Sequence, residues 1–196
     1  PEESLTVRNP FKRVANTIDF YKWAVQEYDV LHFNWGRTIL SNPFSPIPPI
    51  ELPFLSRSNA AIVVTYQGSD SRQEGYCLRH YDITHAREYS TLQLARYRLY
   101  SLFKRQHISM FGKYADLIYA TNPDLLNVLP EGAKFRPYTK YEIGKIRPVL
   151  FDGPNHRMRI VHAPTSRNIK GTKYIVATID KLKKEGIEYI VKIHPR

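Results

Sequence analysis

The chain of 196 residues has one cysteine, Cys77, so no internal disulfide can form, which fits a reducing compartment. It has no run near the roughly 18 apolar residues that a membrane-crossing helix needs. It opens on Pro1-Glu2-Glu3-Ser4 without the basic and apolar stretches of a signal peptide. No internal repeat and no low-complexity tract is present. Neither of the glycine-rich phosphate loops, GxxxxGK[ST] or GxGxxG, occurs, so P-loop and dinucleotide-binding readings fall away. Acidic residues are also scarce: 18 Asp and Glu face 29 Lys and Arg, a formal charge of +11. What is abundant is apolar and aromatic material, at 42% and 13%, enough for a real core. The chain therefore reads as a globular cytoplasmic protein.

Such a charge balance attracts polyanions: nucleic acid, anionic lipid headgroups or phosphorylated small molecules. The excess is concentrated between Tyr76 and Lys113, where Arg79, Arg87, Arg96, Arg98, Lys104, Arg105 and Lys113 meet only Asp82 and Glu88. Two readings are open there, a solvated helix face or a surface that leans on a membrane or a polyanion. The Tyr and Arg residues are scattered and follow no RRM, KH or zinc-finger pattern, which disfavours nucleic acid.

Periodicity organises the rest. Phe11, Val14, Ile18, Tyr21 and Val25 recur at helical spacing. Val30–Phe33 reads as a strand ended by Asn34-Trp35-Gly36, and five prolines between Pro43 and Pro53 then exclude regular structure. Ala61–Tyr66 is a buried strand with Gln67–Asp70 as its turn. Leu92, Ala95, Leu99 and Leu102 stripe the basic segment, and Asp116–Thr121 is another strand. Asn122-Pro123 is suited to cap a short helix, and Phe135–Tyr138 ends one more strand. Residues 138–157, with Pro148, Gly153 and Pro154, read as a linker. Beyond it, Arg159–Ala163, a helix striped by Ile175, Ile179 and Leu182 with Gly186 at its end, and Tyr189–Ile193 make a βαβ unit. Alternating strands and helices imply an α/β fold with a mostly parallel sheet. A Rossmann-like domain over 1–140, a linker over 141–157 and the start of a second domain over 158–196 are expected. Because the first domain opens on a helix and the second on a single βαβ unit, the chain is expected to be a fragment. The first strand of one domain and most of the other would lie outside it.

Ligands of open parallel sheets bind beyond the carboxyl ends of the strands. Three turns qualify. His162–Gly171 carries Ser166, Arg167, Lys170 and Gly171 at the entrance of a helix whose N-terminal amides are expected to be free, an arrangement suited to a diphosphate. A basic surface turn is the plainer reading. Thr65–Arg72 carries Gly68, Ser69, Asp70 and Arg72, able either to hold a hydroxyl-rich ligand or to form a local ion pair and cap. Asn34-Trp35 sets an indole beside an amide, as sugar sites do and as core packing also does. Cys77, His80 and His85 lack the matched spacing of a zinc site, so no metal is expected.

The run from Arg159 through Gly171, ending in Leu182–Gly186, resembles the start of the nucleotide-sugar domain of family 4 glycosyltransferases, whose GT-B fold sets two Rossmann-like domains across a cleft. Asp29–Gly36, Val64–Arg72, Tyr114–Leu126 and Leu129–Tyr138 resemble, in order, segments of that family's acceptor domain. The resemblance implies retaining sugar transfer from a nucleotide-sugar donor to a glycan or lipid-linked acceptor of a bacterial-type surface polysaccharide, without metal or other cofactor, at the inner face of the cell membrane. By position it gives Ser166, Arg167, Lys170 and Gly171 to the donor diphosphate. Gly68, Ser69, Asp70, Arg72, Asn34 and Trp35 fall on the acceptor side. Gln67 stands where the family has a cleft histidine, and its paired glutamates would fall beyond Arg196, so these residues alone are expected not to turn over. A non-catalytic glycan- or nucleotide-binding relative and a basic polyanion binder are the alternatives.

Overall fold

The computed structural model describes residues 9–137, 142–147, 158–186 and 189–193. The chain divides into two compact units, one of Pro1–Asp82 with Ser90–Thr139, the other of Ile83–Tyr89 with Lys140–Arg196.

Helix α1 (Pro10–Glu27) starts where Asn9 accepts the amides of Phe11 and Lys12, with Pro10 in the first turn, where a missing N–H costs nothing. It leads into β1 (Val30–Asn34), a proline-rich passage with the single helical turn α2 (Leu52–Leu55), and β2 (Ala61–Tyr66). Helix α3 (Glu74–His80) and the 24-residue α4 (Thr91–Tyr114) follow, then β3 (Leu117–Ala120), a 3-10 turn over Pro123–Val128 and β4 (Lys134–Phe135). Ser90 and Gln93 cap α4 reciprocally. The four strands are all parallel in the order β1-β2-β3-β4, so their carboxyl ends share one edge. The first unit is thus a mixed α/β domain, compatible with a Rossmann-like arrangement.

Along β2 the side chains alternate. Ile62, Val64 and Tyr66 are fully buried, while Ala61, Val63 and Thr65 on the opposite face are half-buried. The buried row meets Phe33, Ala120, Leu52, Leu55, Ile108 and Phe111 in one core, with Phe111 edge-on to Phe33 and Tyr66. Each large apolar side chain buried there contributes about 1.5–3 kcal/mol.

Two helices place their apolar stripes differently from the usual inward rule. In α1 the buried positions are Thr17, Tyr21 and Ala24, whereas Phe11, Val14 and Ile18 face outward. In α4 the leucine stripe lies outward, with Leu92, Leu99 and Leu102 exposed by 82%, 51% and 53%. Its inner face is Ser101, Lys104, His107, Ile108 and Phe111. This inversion is possible because the buried polar side chains find partners, although His107 Nδ1 has none among the described residues. Lys104 Nζ donates to the Arg72 carbonyl at 2.7 Å and pairs with Glu74 at 3.2 Å, and Ser101 Oγ donates to Glu74 at 2.8 Å. His107 Nε2 lies 3.1 Å from the Ile47 carbonyl and 3.0 Å from Ser41 Oγ. A carbonyl only accepts, so Nε2 carries the proton.

In the second unit β5 (Met158–His162) and β6 (Tyr189–Ile193) pair in parallel around helix α5 (Thr172–Lys184), which buries Ile179. Gly186 takes φ 77° just past its end, the left-handed position that favours glycine there. Of the expected linker, 142–147 is described and contains a 3-10 turn at Ile143–Lys145. The rest of it, Tyr138 included, lies outside the described residues.

Candidate functional site

The shared carboxyl edge of β1, β2 and β3 joins residues far apart in the chain. Trp35 N donates to the Thr65 carbonyl at 2.8 Å, and Thr121 N to the Tyr66 carbonyl at 2.9 Å. Between these neighbours the chain leaves β2 through Gln67 and Gly68. Asp70, fully buried, folds back so that its carboxylate accepts the Gly68 amide at 2.6 Å and the Gln67 amide at 2.9 Å. Burial pushes the Asp70 carboxyl upward, and the amides of Gln67 and Gly68 pull it back. Arg72 then forks onto Asp124 through two bonds of 2.7 and 3.1 Å. A Cβ on Gly68 would stand 2.9 Å from that guanidinium, so glycine is required for the fork to lie where it does.

Asp70 and Arg72 therefore brace the turn, and the groups left for a ligand are the amides. Gln67 Nε2 donates to Asn34 Oδ1 at 2.6 Å. Gln67 Oε1 and the Asn34 amide nitrogen have no partner among the described residues, one acceptor beside one donor group. Such a pair suits vicinal hydroxyls. Ser69 is exposed next to them. Trp35 holds a left-handed backbone, φ 62°, uncommon for a bulky residue, and its half-buried ring packs against Phe44 at 5.4 Å. It supports the turn as packing.

Three contributors were not legible as site residues. Asn122 makes no side-chain cap; its amide donates instead to the Gln67 carbonyl at 2.8 Å. Asp124, two residues on, is the partner of Arg72, and Lys104 holds the Arg72 carbonyl from below. A sequence signal existed for Asn122 and Asp124 alone, in that both follow a strand end.

In the second unit, Arg167 and Lys170 are exposed, and Ser166 is half-buried. The helix start behaves otherwise than free amides would. The N–H groups of Lys170, Gly171 and Thr172 donate to the carbonyls of Ser166, Asn168 and Arg167, and that of Tyr174 to Gly171. These amides bond back into the turn, where Gly171 takes φ 67°, whereas the Lys173 N–H in the first turn of the helix has no backbone acceptor among the described residues. What the turn offers an anion is side-chain charge and the few amides that do not bond back. Nearby, His162 Nε2 bonds Thr172 Oγ1 at 2.8 Å, and Lys173 pairs with the half-buried Glu88 at 2.7 Å, which raises the lysine pKa and lowers that of the carboxyl.

A groove of about 650 Å³ lies between α3 and α4, lined by Tyr76, Arg79, Arg98, Leu99, Leu102 and Arg105 among others. Cys77 is buried beneath it, and His80 is tied to the Tyr76 carbonyl at 2.9 Å. Among the described residues no three His, Cys, Asp or Glu side chains gather as a metal site, and no helix is long and apolar enough to cross a membrane. No family model, no curated protein and no solved structure matches the chain.

Proposed function

We propose that the chain is part of a GT-B-type glycosyltransferase of the family 4 kind, and that the carboxyl edge of the four-stranded sheet receives the acceptor. The observation that carries this reading is the Asn34–Gln67 amide pair on a turn fixed by Asp70 and Arg72. A hydroxyl-rich ligand needs neutral donors and acceptors held in place; the buried carboxylate fixes the backbone that carries Gln67, and the Gln67–Asn34 bond orders the two side chains. Gly68 brings the backbone close and Ser69 adds a hydroxyl. Arg167 and Lys170, with Ser166 and Gly171, would hold the diphosphate of a nucleotide-sugar donor, acting by charge and stabilising the leaving group. No metal or other cofactor is invoked.

Isothermal titration of the chain with nucleoside diphosphates tests the donor side. Binding that falls about tenfold in Arg167→Ala/Lys170→Ala supports it; binding indifferent to both substitutions overturns it. Gln67 favours a second reading, a glycan binder without catalysis, since an amide cannot act as acid or base near neutral pH. Sugar transfer from a nucleotide-sugar panel, by a longer protein that contains this chain, separates the two.

The α3–α4 surface would rest on an anionic membrane at the inner face of the cell membrane. Its outward leucines and the groove arginines Arg79, Arg98 and Arg105 combine apolar insertion with phosphate attraction. Liposomes containing anionic lipid should lose the protein when Arg96, Arg98 and Arg105 become Gln; unchanged binding removes this surface from the account.

A further inference from the structure

Lys104, on the inner face of α4, is a fully buried cation whose reach extends to both turns of the acceptor edge. Its ammonium donates at 2.7 Å to the carbonyl of Arg72, the last residue of the turn after β2. It also donates to Glu74 at 3.2 Å, and that carboxylate accepts from Ser101 Oγ at 2.8 Å. The same ammonium lies over the Phe44 ring, 5.1 Å from its centroid. Phe44 packs in turn on Trp35 at 5.4 Å and on Tyr100 at 5.3 Å. One cation thus touches the turn after β2 directly and the turn after β1 through a single ring.

The turn after β1 needs holding. Trp35 at φ 62° and Gly36 at φ 53° both take left-handed backbone, and a bulky residue keeps that conformation only where its surroundings fix it. A Cβ on Gly36 would stand 2.6 Å from the Tyr66 ring, so the chain passes there without room for a side chain. Asn34 immediately precedes this bend and accepts from the Gln67 amide at 2.6 Å. That bond survives only while the two turns keep one spacing. A buried ion pair is a poor source of stability, because desolvation offsets most of its attraction and an apolar pair of similar volume often does as well. What it supplies is direction, since each partner of the ammonium fixes where the others must lie. We propose that Lys104 is a positioning residue for the acceptor edge, its single ammonium fixing the turns after β1 and β2 relative to each other through the Phe44 ring and the Arg72 carbonyl. The identity of that edge as an acceptor site rests on the glycosyltransferase reading, whereas the coupling of the two turns does not.

The test is native-state hydrogen exchange on the chain carrying Lys104→Met/Glu74→Gln, which removes both charges and leaves Ser101 an acceptor. The amides of Trp35, Gly68 and Arg72, all hydrogen-bonded within the turns, should exchange at least about tenfold faster, while those of Ile62 and Val64 in β2 keep their rates. Faster exchange throughout would make Lys104 a general support of the core, and unchanged exchange at the turns would make it a bystander. Either result overturns the proposal, as does a change confined to Gly68 and Arg72, since the coupling must reach Trp35. Phe44→Leu leaves the ion pair whole and serves if the double variant does not fold. It should speed exchange at Trp35 with Gly68 and Arg72 unchanged, and an unchanged Trp35 amide overturns the route through the ring. Because no sugar is present, failure here leaves recognition of a hydroxyl-rich ligand by Asn34 and Gln67 standing.

Discussion

The turns after β2 and β5 occupy equivalent places, each at the carboxyl end of a parallel strand, yet they are built in opposite ways. After β2, side chains do the work. A buried carboxylate gathers two amides, a guanidinium forks onto Asp124, and Asn122 closes the far side. After β5, the amides of Lys170, Gly171 and Thr172 bond back to carbonyls of the turn, and Arg167 and Lys170 are exposed. The first turn is braced by side chains before any ligand arrives. The second offers charge without fixed geometry, so a diphosphate there would have to order Arg167 and Lys170 itself.

The contrast can be broken most sharply at Asp70. Replacing it by Ala strands the Gln67 and Gly68 amides, and urea unfolding should show a loss of about 2–4 kcal/mol. Next is Arg72 with Asp124. The pair is about one-third exposed, so a double-mutant cycle with Arg72→Gln and Asp124→Asn should give a coupling of only about 1 kcal/mol. A third effect concerns the scaffold under the rigid turn. Burial holds the His107 imidazole below its ordinary 6.5, against weaker opposition from neighbouring carbonyls. A folded-state pKa below the unfolded value means that the unfolded chain binds the extra proton. Stability should therefore be full above pH 6.5 and fall as pH drops through the window below it, and His107→Phe should flatten that slope in melting curves. The smallest effect belongs to the second turn: Arg167→Ala and Lys170→Ala should each leave stability within about 0.5 kcal/mol of the starting chain.

Much of the fold was legible because its strands are short, β-branched and bounded by turn residues. Ala61–Tyr66 could be read directly, and so could the inward stripe of Ile175, Ile179 and Leu182. The helices α1 and α4 were legible as helices but not in orientation. Periodicity finds a face, whereas which face turns inward depends on partners such as Glu74 and Ile47 that pair with Lys104 and His107 over long separations. At the site, Gly68, Asp70 and Arg72 were visible as unusual residues in one turn. Whether Asp70 and Arg72 touched a ligand or their own neighbours was not, since Asp124 reaches Arg72, and Asn122 the Gln67 carbonyl, only through the register of β2 with β3. They proved to be braces, and the groups facing outward are Gln67 and Asn34.

The most direct test of this arrangement is an NMR titration that follows side-chain amide signals of Asn34 and Gln67 while a panel of oligosaccharide acceptors is added. A recognition surface held ready by Asp70 and Arg72 predicts shifts at those two amides and at Gly68 and Ser69, with the Asp70 and Ser71 backbone signals still. A folded chain in which no oligosaccharide moves the Asn34 and Gln67 signals would contradict it.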